Sequence, residues 1–194
     1  MSAALDIIHD EHRTIAAILH GMDYLVREIR SRGKKIDPRV FHAMIYYLDA
    51  YSERMHHPKE DRYLFGLLRQ RSSEAGSLIA ALESEHAGGE EALRRLAQSV
   101  IRYEEGGDKE FPAFEREVGN FVEGYRNHMR KEEEQLFPLA RKLLTPLDWV
   151  TIDEAFRENL DPLAAERETK DFEKLFERIV NIAPPPIGIG PAAG

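Results

Sequence analysis

Two stretches of the chain repeat one pattern: residues 56–67 read HHPKEDRYLFGL, and residues 128–139 read HMRKEEEQLFPL. At an offset of 72 residues, His, Lys, Glu, Leu, Phe and Leu coincide between them. Each stretch opens with His-x-x-x-Glu, and residues four apart lie on one face of a helix with Cβ atoms about 5–6 Å apart. The repeat therefore predicts two helices that each present an imidazole and a carboxylate to one point.

Helical periodicity runs through four long segments that include these stretches. Apolar residues recur every three or four positions over residues 5–29, 41–67, 78–103 and 111–143. Turn-forming clusters such as SRGKKIDP and EEGGDKEFP separate the segments. Because short loops between long helices make neighbours antiparallel, the sequence predicts an all-α, up-down-up-down four-helix bundle at residues 1–145.

The remaining residues predict an addition to the bundle. TPLDWVTIDEAF and ETKDFEKLFERIV have helical periodicity and open with Thr, Asp or Pro, which cap helices. We expect them to form two short helices in a C-terminal extension, residues 146–183, that packs on the bundle. Residues 184–194 are rich in Pro and Gly and predict a flexible or docked tail.

Within the second long segment, Pro58 removes an intrahelical hydrogen bond, which predicts a local kink.

Composition and charge exclude several classes of function. The chain has 194 residues, no cysteine and a formal net charge of −8. Disulfides and thiolate metal sites are therefore excluded, and a phosphate backbone is a poor partner for so acidic a chain. No apolar run approaches the ~20 residues that span a bilayer, and the N-terminus becomes charged too early for a secretory signal. We expect a cytoplasmic protein that binds neither nucleic acid nor membrane.

The apolar stripes carry a set of polar residues that should meet in one layer of the bundle. Each stripe has one His, and two stripes also have a Glu: His12, His56, Glu60, His86, His128 and Glu132. Burying these groups without a partner would cost several kcal/mol per ionised group, and the stripes offer no Arg or Lys. A bound cation would supply the missing charge. Six ligands suit two metal ions, and a set of imidazoles and carboxylates favours iron over manganese or zinc.

The order His, His-x-x-x-Glu, His, His-x-x-x-Glu, one group per helix, resembles the bacterial hemerythrin-like proteins, or hemerythrin HHE cation-binding domains. DEHR in the first helix and HHPKEDRYLF in the second helix are similar to the corresponding motifs of that family. The resemblance covers about residues 1–145. It implies a non-haem di-iron centre with two bridging carboxylates and an oxo or hydroxo bridge, held by the six residues named above.

The sequence departs from the oxygen-carrying hemerythrins at two ligand positions. Where those proteins have a second His on the third helix, this chain has Glu90, and where they have an Asp five residues after the last His, it has Glu133. Glu132 is preferred to Glu133 because it lies on the apolar stripe, whereas Glu133 is rotated by ~100°. Fewer His ligands imply open or water-filled iron positions, which favour sensing, reaction with peroxide or nitric oxide, or iron handling over simple oxygen carriage.

Further residues near the predicted ligands are candidates for supporting roles. His9 and Glu90 are candidate additional ligands, and Tyr125 and Glu53 lie one turn from a ligating His, where they are placed to bond it. Gly89 lies beside His86, and its missing side chain predicts a path for a small ligand.

The other histidines lie off the stripes. We expect His20, His42 and His57 to face solvent or to cap helix ends.

Three functions fit these residues. The first is a di-iron protein that binds or reacts with O2, NO or peroxide, in sensing or in oxidative or nitrosative stress. The second is iron storage or donation, for example in cluster repair, and the third is a non-catalytic regulatory module in which metal staples the helices. The residues do not decide between binding and catalytic turnover. We expect the C-terminal region to contact a second copy of the chain or another protein partner. The sequence does not contain the motifs of hydrolytic zinc enzymes.

Overall fold

The computed structural model describes residues 2–157 and 162–193. Residues 158–161 of the predicted extension and residue 194 of the predicted tail lie outside this part of the chain. The described residues form helices and no strand, which confirms the all-α prediction. The six helices are α1 (Ala3–Arg32), α2 (residues 39–71), α3 (Gly76–Gly106), α4 (residues 111–143), α5 (Pro146–Arg157) and α6 (Pro162–Ile182).

Helices α1 to α4 form a bundle whose core is divided in two. Consecutive long helices pack against each other, and α4 also packs against α1. One apolar cluster, here called the large cluster, includes Leu19, Phe41 and Phe114, and the other, the small cluster, includes Phe65 and Phe137. The predicted polar residues lie between the two clusters along each helix. A polar layer therefore crosses an otherwise apolar core.

Helices α2 and α4 widen into π-helical turns beside this layer. The π segments of α2 are Leu48–His56 and Glu60–Phe65, and that of α4 is Glu132–Leu136. Pro58 and Pro138 each follow the end of a π segment by two residues. A proline inside a helix lacks its N–H and crowds the preceding turn, so a wider turn accommodates it. The irregularity predicted at Pro58 thus takes the form of a change in helical pitch.

Helix α5 covers the small cluster and is held in place by a capping box. Its buried Ile152 and Phe156 pack on that cluster. The Asp148 carboxylate accepts hydrogen bonds from the Thr145 backbone N–H at 2.8 Å and hydroxyl at 2.7 Å, and the Asp148 N–H donates back to the Thr145 hydroxyl. Arg71 at the end of α2 binds the same carboxylate at 2.6 and 2.8 Å. The predicted Thr and Asp capping chemistry is therefore present at α5.

Helix α6 and the following residues contact the large cluster. Ile179 is buried there, and α6 packs mainly on the first part of α2. Beyond α6 the chain turns back, and the Ile189 N–H donates to the Val180 carbonyl at 2.8 Å. Ile187 lies over Gly21 of α1, where no side chain intervenes. Across residues 2–157 and 162–193, each helix is too short or too polar to cross a membrane.

Candidate metal centre

The structure brings the six predicted ligands together in the polar layer. Their side chains are buried, with relative exposures from 0% for both glutamates to 8% for His86. They form two groups in which one donor atom of each residue lies within 4.8 Å of the others. His12 and His56 form the first half of the centre, His86 and His128 form the second half, and Glu60 and Glu132 belong to both.

In the first half, each imidazole directs its Nε2 atom toward a carboxylate. His12 Nε2 lies 3.3 Å from Glu132 Oε2, and His56 Nε2 lies 3.4 Å from Glu60 Oε2. Around an ion with bonds of about 2.1 Å, adjacent donor atoms lie roughly 3.0 to 3.4 Å apart, depending on the coordination geometry. The two rings are inclined at 72°, so that both ring planes can contain one ion. The spacing in this half fits a metal site.

The second half has the same construction. His128 Nε2 lies 3.4 Å from Glu132 Oε1, and His86 Nε2 lies 3.8 Å from an oxygen of each glutamate. The two Nε2 atoms approach each other to 3.1 Å, with the rings inclined at 63°. Two imidazole lone pairs at that distance repel each other unless a proton or a metal ion lies between them. This half therefore also fits a metal site.

Four acidic residues fix the orientation of the four imidazoles. Each carboxylate lies on a helix next to that of its His, so the pairs connect α1 to α2, α2 to α3, α3 to α4 and α4 to α1. The distances from Nδ1 to the carboxylate oxygen are 2.7 Å for His56–Glu11, 2.8 Å for His86–Asp61, 3.0 Å for His128–Glu85 and 2.8 Å for His12–Glu133. Because Nδ1–H donates outward, the lone pair of each neutral ring is at Nε2 and faces the centre. We call these four residues the carboxylate ring.

The two shared glutamates lack the partners that buried carboxylates require. Among the described residues, neither oxygen of Glu60 or Glu132 makes a hydrogen bond of good geometry, although imidazole nitrogens lie 3.3 to 3.4 Å away. Burial, together with repulsion from Glu132, raises the pKa of Glu60 well above its usual value. Burial would also raise the pKa of Glu132, but the imidazoles of His128 and His12 outweigh burial and hold it well below its usual value. In the absence of a metal ion, the surrounding protein groups thus favour ionisation of only one of the two glutamates. Cations bound in the two halves would allow both glutamates to ionise.

Protons supply part of the positive charge that the layer needs. Burial lowers the pKa of His12, but the contacts with Glu132 and Glu133 outweigh it and raise the pKa to about 10. For His86, burial is likewise outweighed by Asp61 and Glu132, and the pKa is raised to about 9. Metal ions that bind at Nε2 would displace these protons, because a ligating imidazole must be neutral.

The structure separates Glu132 from Glu133 as the helical phase predicts. Glu132 is fully buried and belongs to both halves, whereas the Glu133 side chain is 35% exposed and bonds the outer nitrogen of His12. His9, a predicted additional ligand, lies 3.3 Å from Glu133 at the edge of the centre. Glu90, the other additional candidate, is exposed and does not reach the centre. It falls at the margin of the α3 stripe, about 100° from Gly89.

The prediction that His57 faces solvent is wrong, because this residue is 5% exposed. It stacks on His86 with ring centroids 4.0 Å apart and planes inclined by 12°. A nitrogen of His57 lies within 4.8 Å of those of His86 and His128, but a metal lies in the plane of its imidazole ligand, and two stacked planes do not share an ion. His57 is therefore a neighbour of the second half in this arrangement. The π segment that ends at His56 changes the helical phase, so an α-helical projection of the sequence could not place His57 inside.

Three predicted supporting residues gather around His57. The Tyr125 hydroxyl lies 3.1 Å from His57 Nε2, contacts Ser52 and lies 3.5 Å from a Glu53 oxygen. Glu53 Oε2 in turn lies 3.3 Å from His57 Nδ1. A Cβ atom at Gly89 would overlap the Glu53 carboxylate. Gly89 thus leaves the space that Glu53 occupies, next to the second half.

Paired imidazoles and shared carboxylates inside a four-helix bundle define a cation-binding protein. The chain belongs to the hemerythrin family: the family model described as the hemerythrin HHE cation binding domain matches residues 3–140. The resemblance predicted from the His and Glu pattern is thereby confirmed. No curated protein and no solved structure matches the chain.

Proposed function

We propose that the protein is a non-haem di-iron protein in which each half of the centre holds one iron ion. His12 and His56 would hold one ion, His86 and His128 would hold the other, and Glu60 and Glu132 would serve both. The observation that carries this proposal is a pair of fully buried carboxylates that make no hydrogen bond of good geometry with any described residue and lie between two pairs of inward-facing Nε2 atoms. The assignment of each residue to one ion or to both follows from the positions of these nitrogen and oxygen atoms.

Iron is the metal that this donor set favours. The candidate ligands are imidazole nitrogens and carboxylate oxygens, and the chain has no cysteine thiolate. Such sets suit iron, with manganese and zinc as alternatives. When bound, iron would supply a redox centre and a Lewis acid. The carboxylate ring would keep the imidazoles oriented, and the large and small clusters would limit access of water to the polar layer.

We infer that the centre binds or reacts with a small ligand: O2, NO or peroxide. Four His residues are few for two six-coordinate ions, so positions remain for an exogenous ligand. This supports a role in sensing or in the response to oxidative or nitrosative stress, which we place in the cytoplasm. Such a role needs a ligand-accessible metal that the fold protects from bulk solvent.

Anaerobic loading with Fe(II) tests the proposal. Apo-protein is titrated with Fe(II), unbound metal is removed, and optical spectra are recorded after separate additions of O2, NO and hydrogen peroxide. We expect retained iron and a spectral change with at least one ligand. Parallel titrations with Mn(II) and Zn(II) compare the alternative metals. Failure to retain Fe(II), or retention with spectra that none of the three ligands alters, would contradict the proposal.

A further inference from the structure

The two halves of the centre differ in the residue one turn after the ligand on the odd-numbered helix. Three residues after His12 lies Ile15, which is fully buried in the large cluster. Three residues after His86 lies Gly89, which has no side chain. A bulky aliphatic group therefore lies beside the first half, whereas the missing side chain of Gly89 leaves room beside the second half for the Glu53 carboxylate.

The residues that follow the ligands on the even-numbered helices differ as well. His128 is followed by Met129, a buried apolar side chain, whereas His56 is followed by the buried imidazole of His57. Because His57 stacks on His86, the ring nitrogens of His57 lie beside the second half. The surroundings of the two halves thus differ in both volume and polarity.

A cavity of about 520 Å³ adjoins the second half of the centre. It lies between α3 and α4 along Gly89 and Gly124, and its lining includes both ligands of the second half, His86 and His128, as well as His57. Glycines on two adjacent helices let the groove reach a layer that side chains would otherwise cover.

The inner end of the cavity carries hydrogen-bonding groups. The Glu53 carboxylate fills the space above Gly89, and the Tyr125 hydroxyl and the ring of His57 lie against it. Among the described residues, His57 Nδ1 has no hydrogen-bond partner of good geometry, although it is buried. The walls carry both signs of charge, from Glu85 and Glu117 and from Arg95 and Lys131. This mixed lining fits a small uncharged ligand that accepts hydrogen bonds.

We propose that the exogenous ligand enters over Gly89 and binds only at the second half, in contact with His57, Tyr125 and Glu53. The ligand class is a small, uncharged, metal-binding molecule, for which NO is the probe. The inference rests on the proposed function, since the ligand binds at a metal of the centre. It adds that the first half, beside Ile15, does not bind the exogenous ligand and has a structural role.

A pair of glycine variants tests this access route. Gly89→Leu should displace Glu53 and fill the inner end of the cavity, whereas Gly119→Leu on α4 adds the same side chain at an exposed position with open space around it. Both replace a helical glycine by the same better helix former, so the gain in helix propensity is matched. Each Fe(II)-loaded protein is checked by circular dichroism and iron content, and NO association is followed by stopped-flow absorbance. We expect association to slow by at least about tenfold in Gly89→Leu only.

Two further variants keep the inference testable if Gly89→Leu does not fold. Glu53→Ala leaves the backbone unchanged and removes the carboxylate that fills the space above Gly89, so it should speed NO association. Ile15→Ala opens space beside His12 and should leave the rate unchanged. The inference is overturned if iron-loaded Gly89→Leu or Glu53→Ala associates with NO at the wild-type rate, or if Ile15→Ala accelerates association. Failure of the wild-type protein to bind Fe(II) would instead overturn the proposed function.

Discussion

The two halves of the centre share one pattern of candidate ligands and differ in the residues that follow these ligands along the helices. His12 with His56 and His86 with His128 repeat the same arrangement of imidazole, shared carboxylates and outer acidic partner. Beside the first half lies Ile15, and beside the second lies Gly89. Two similar sets of candidate ligands therefore have unequal surroundings, which is the basis for proposing different roles for the two halves.

Some groups of the centre are shared by both halves, and others belong to one half only. Glu60 and Glu132 are common to both halves, each of the four ligand imidazoles belongs to one half, and each member of the carboxylate ring bonds one imidazole. Substitutions at these three levels should therefore have effects of decreasing size.

Removing a shared carboxylate should have the largest effect. Glu132→Ala takes a ligand from both halves, so we expect most of the iron to be lost. Glu133→Ala, the adjacent control, removes only the outer partner of His12 and should lower iron affinity by about 10- to 100-fold. Iron content and chelator competition of both variants distinguish the two residues. Greater iron loss from Glu133→Ala than from Glu132→Ala would reverse the ligand assignment.

Removing one imidazole should affect only one half. We expect His12→Ala and His86→Ala each to keep a single iron ion, because the opposite half retains its ligands. NO binding should survive in His12→Ala and disappear in His86→Ala, since the cavity reaches only the second pair. The measurement is the amplitude of the NO-dependent absorbance change per bound iron. Equal amplitudes in the two variants would show that the halves are equivalent toward the ligand.

The carboxylate ring should contribute less than the ligands it orients. Glu11→Ala frees His56 in the first half, and Glu85→Ala frees His128 in the second. Each should weaken iron binding at its half by about 10- to 100-fold, because the imidazole loses its fixed tautomer and orientation. Glu83→Ala is the matched control, since Glu83 lies on α3 but bonds Arg69. Chelator competition should show no change for the control.

The smallest effect should come from Asp148, which lies outside both halves. Arg71 and the Thr145 hydrogen bonds hold the pKa of this buried carboxyl below its usual value. Because the pKa is depressed in the folded state, its stabilising contribution is present above the unfolded pKa of about 3.9 and is lost as pH falls through the folded value. Asp148→Asn should reduce the free energy of unfolding by about 1 to 2 kcal/mol at pH 7, mainly through the capping hydrogen bonds.

Denaturant titrations at pH 7 and below pH 3 measure this contribution. The difference between wild type and Asp148→Asn should shrink as pH falls, because the wild-type carboxyl becomes protonated. Iron affinity should be unchanged, since α5 contributes no ligand. A difference that stays constant with pH would show that the charge of Asp148 contributes little.

The sequence was most informative where one regular helix decides the outcome. Spacings of three and four residues placed His12, His86 and Leu93 on buried faces, and the phase of α4 separated Glu132 from Glu133. Both inferences need only 3.6 residues per turn, and the structure agrees with them.

The sequence was less informative where pitch or contacts between helices decide the outcome. His57 became buried through π turns that a regular helical projection omits. The roles of Glu11, Asp61 and Glu85 depend on which helix faces which, although an acidic residue beside each predicted ligand was a usable signal. Glu90, a candidate additional ligand, is exposed, and the spacing of four residues from His86 did not by itself decide its position.

The central claim is that two halves, bridged by shared glutamates, hold two iron ions. Anaerobic titration of the apo-protein with Fe(II) against a competing chelator measures the stoichiometry and affinity directly. We predict an endpoint of two iron ions per chain for the wild type and a single ion for His86→Ala. An endpoint of one ion in the wild type, or the same endpoint in both proteins, would contradict the account.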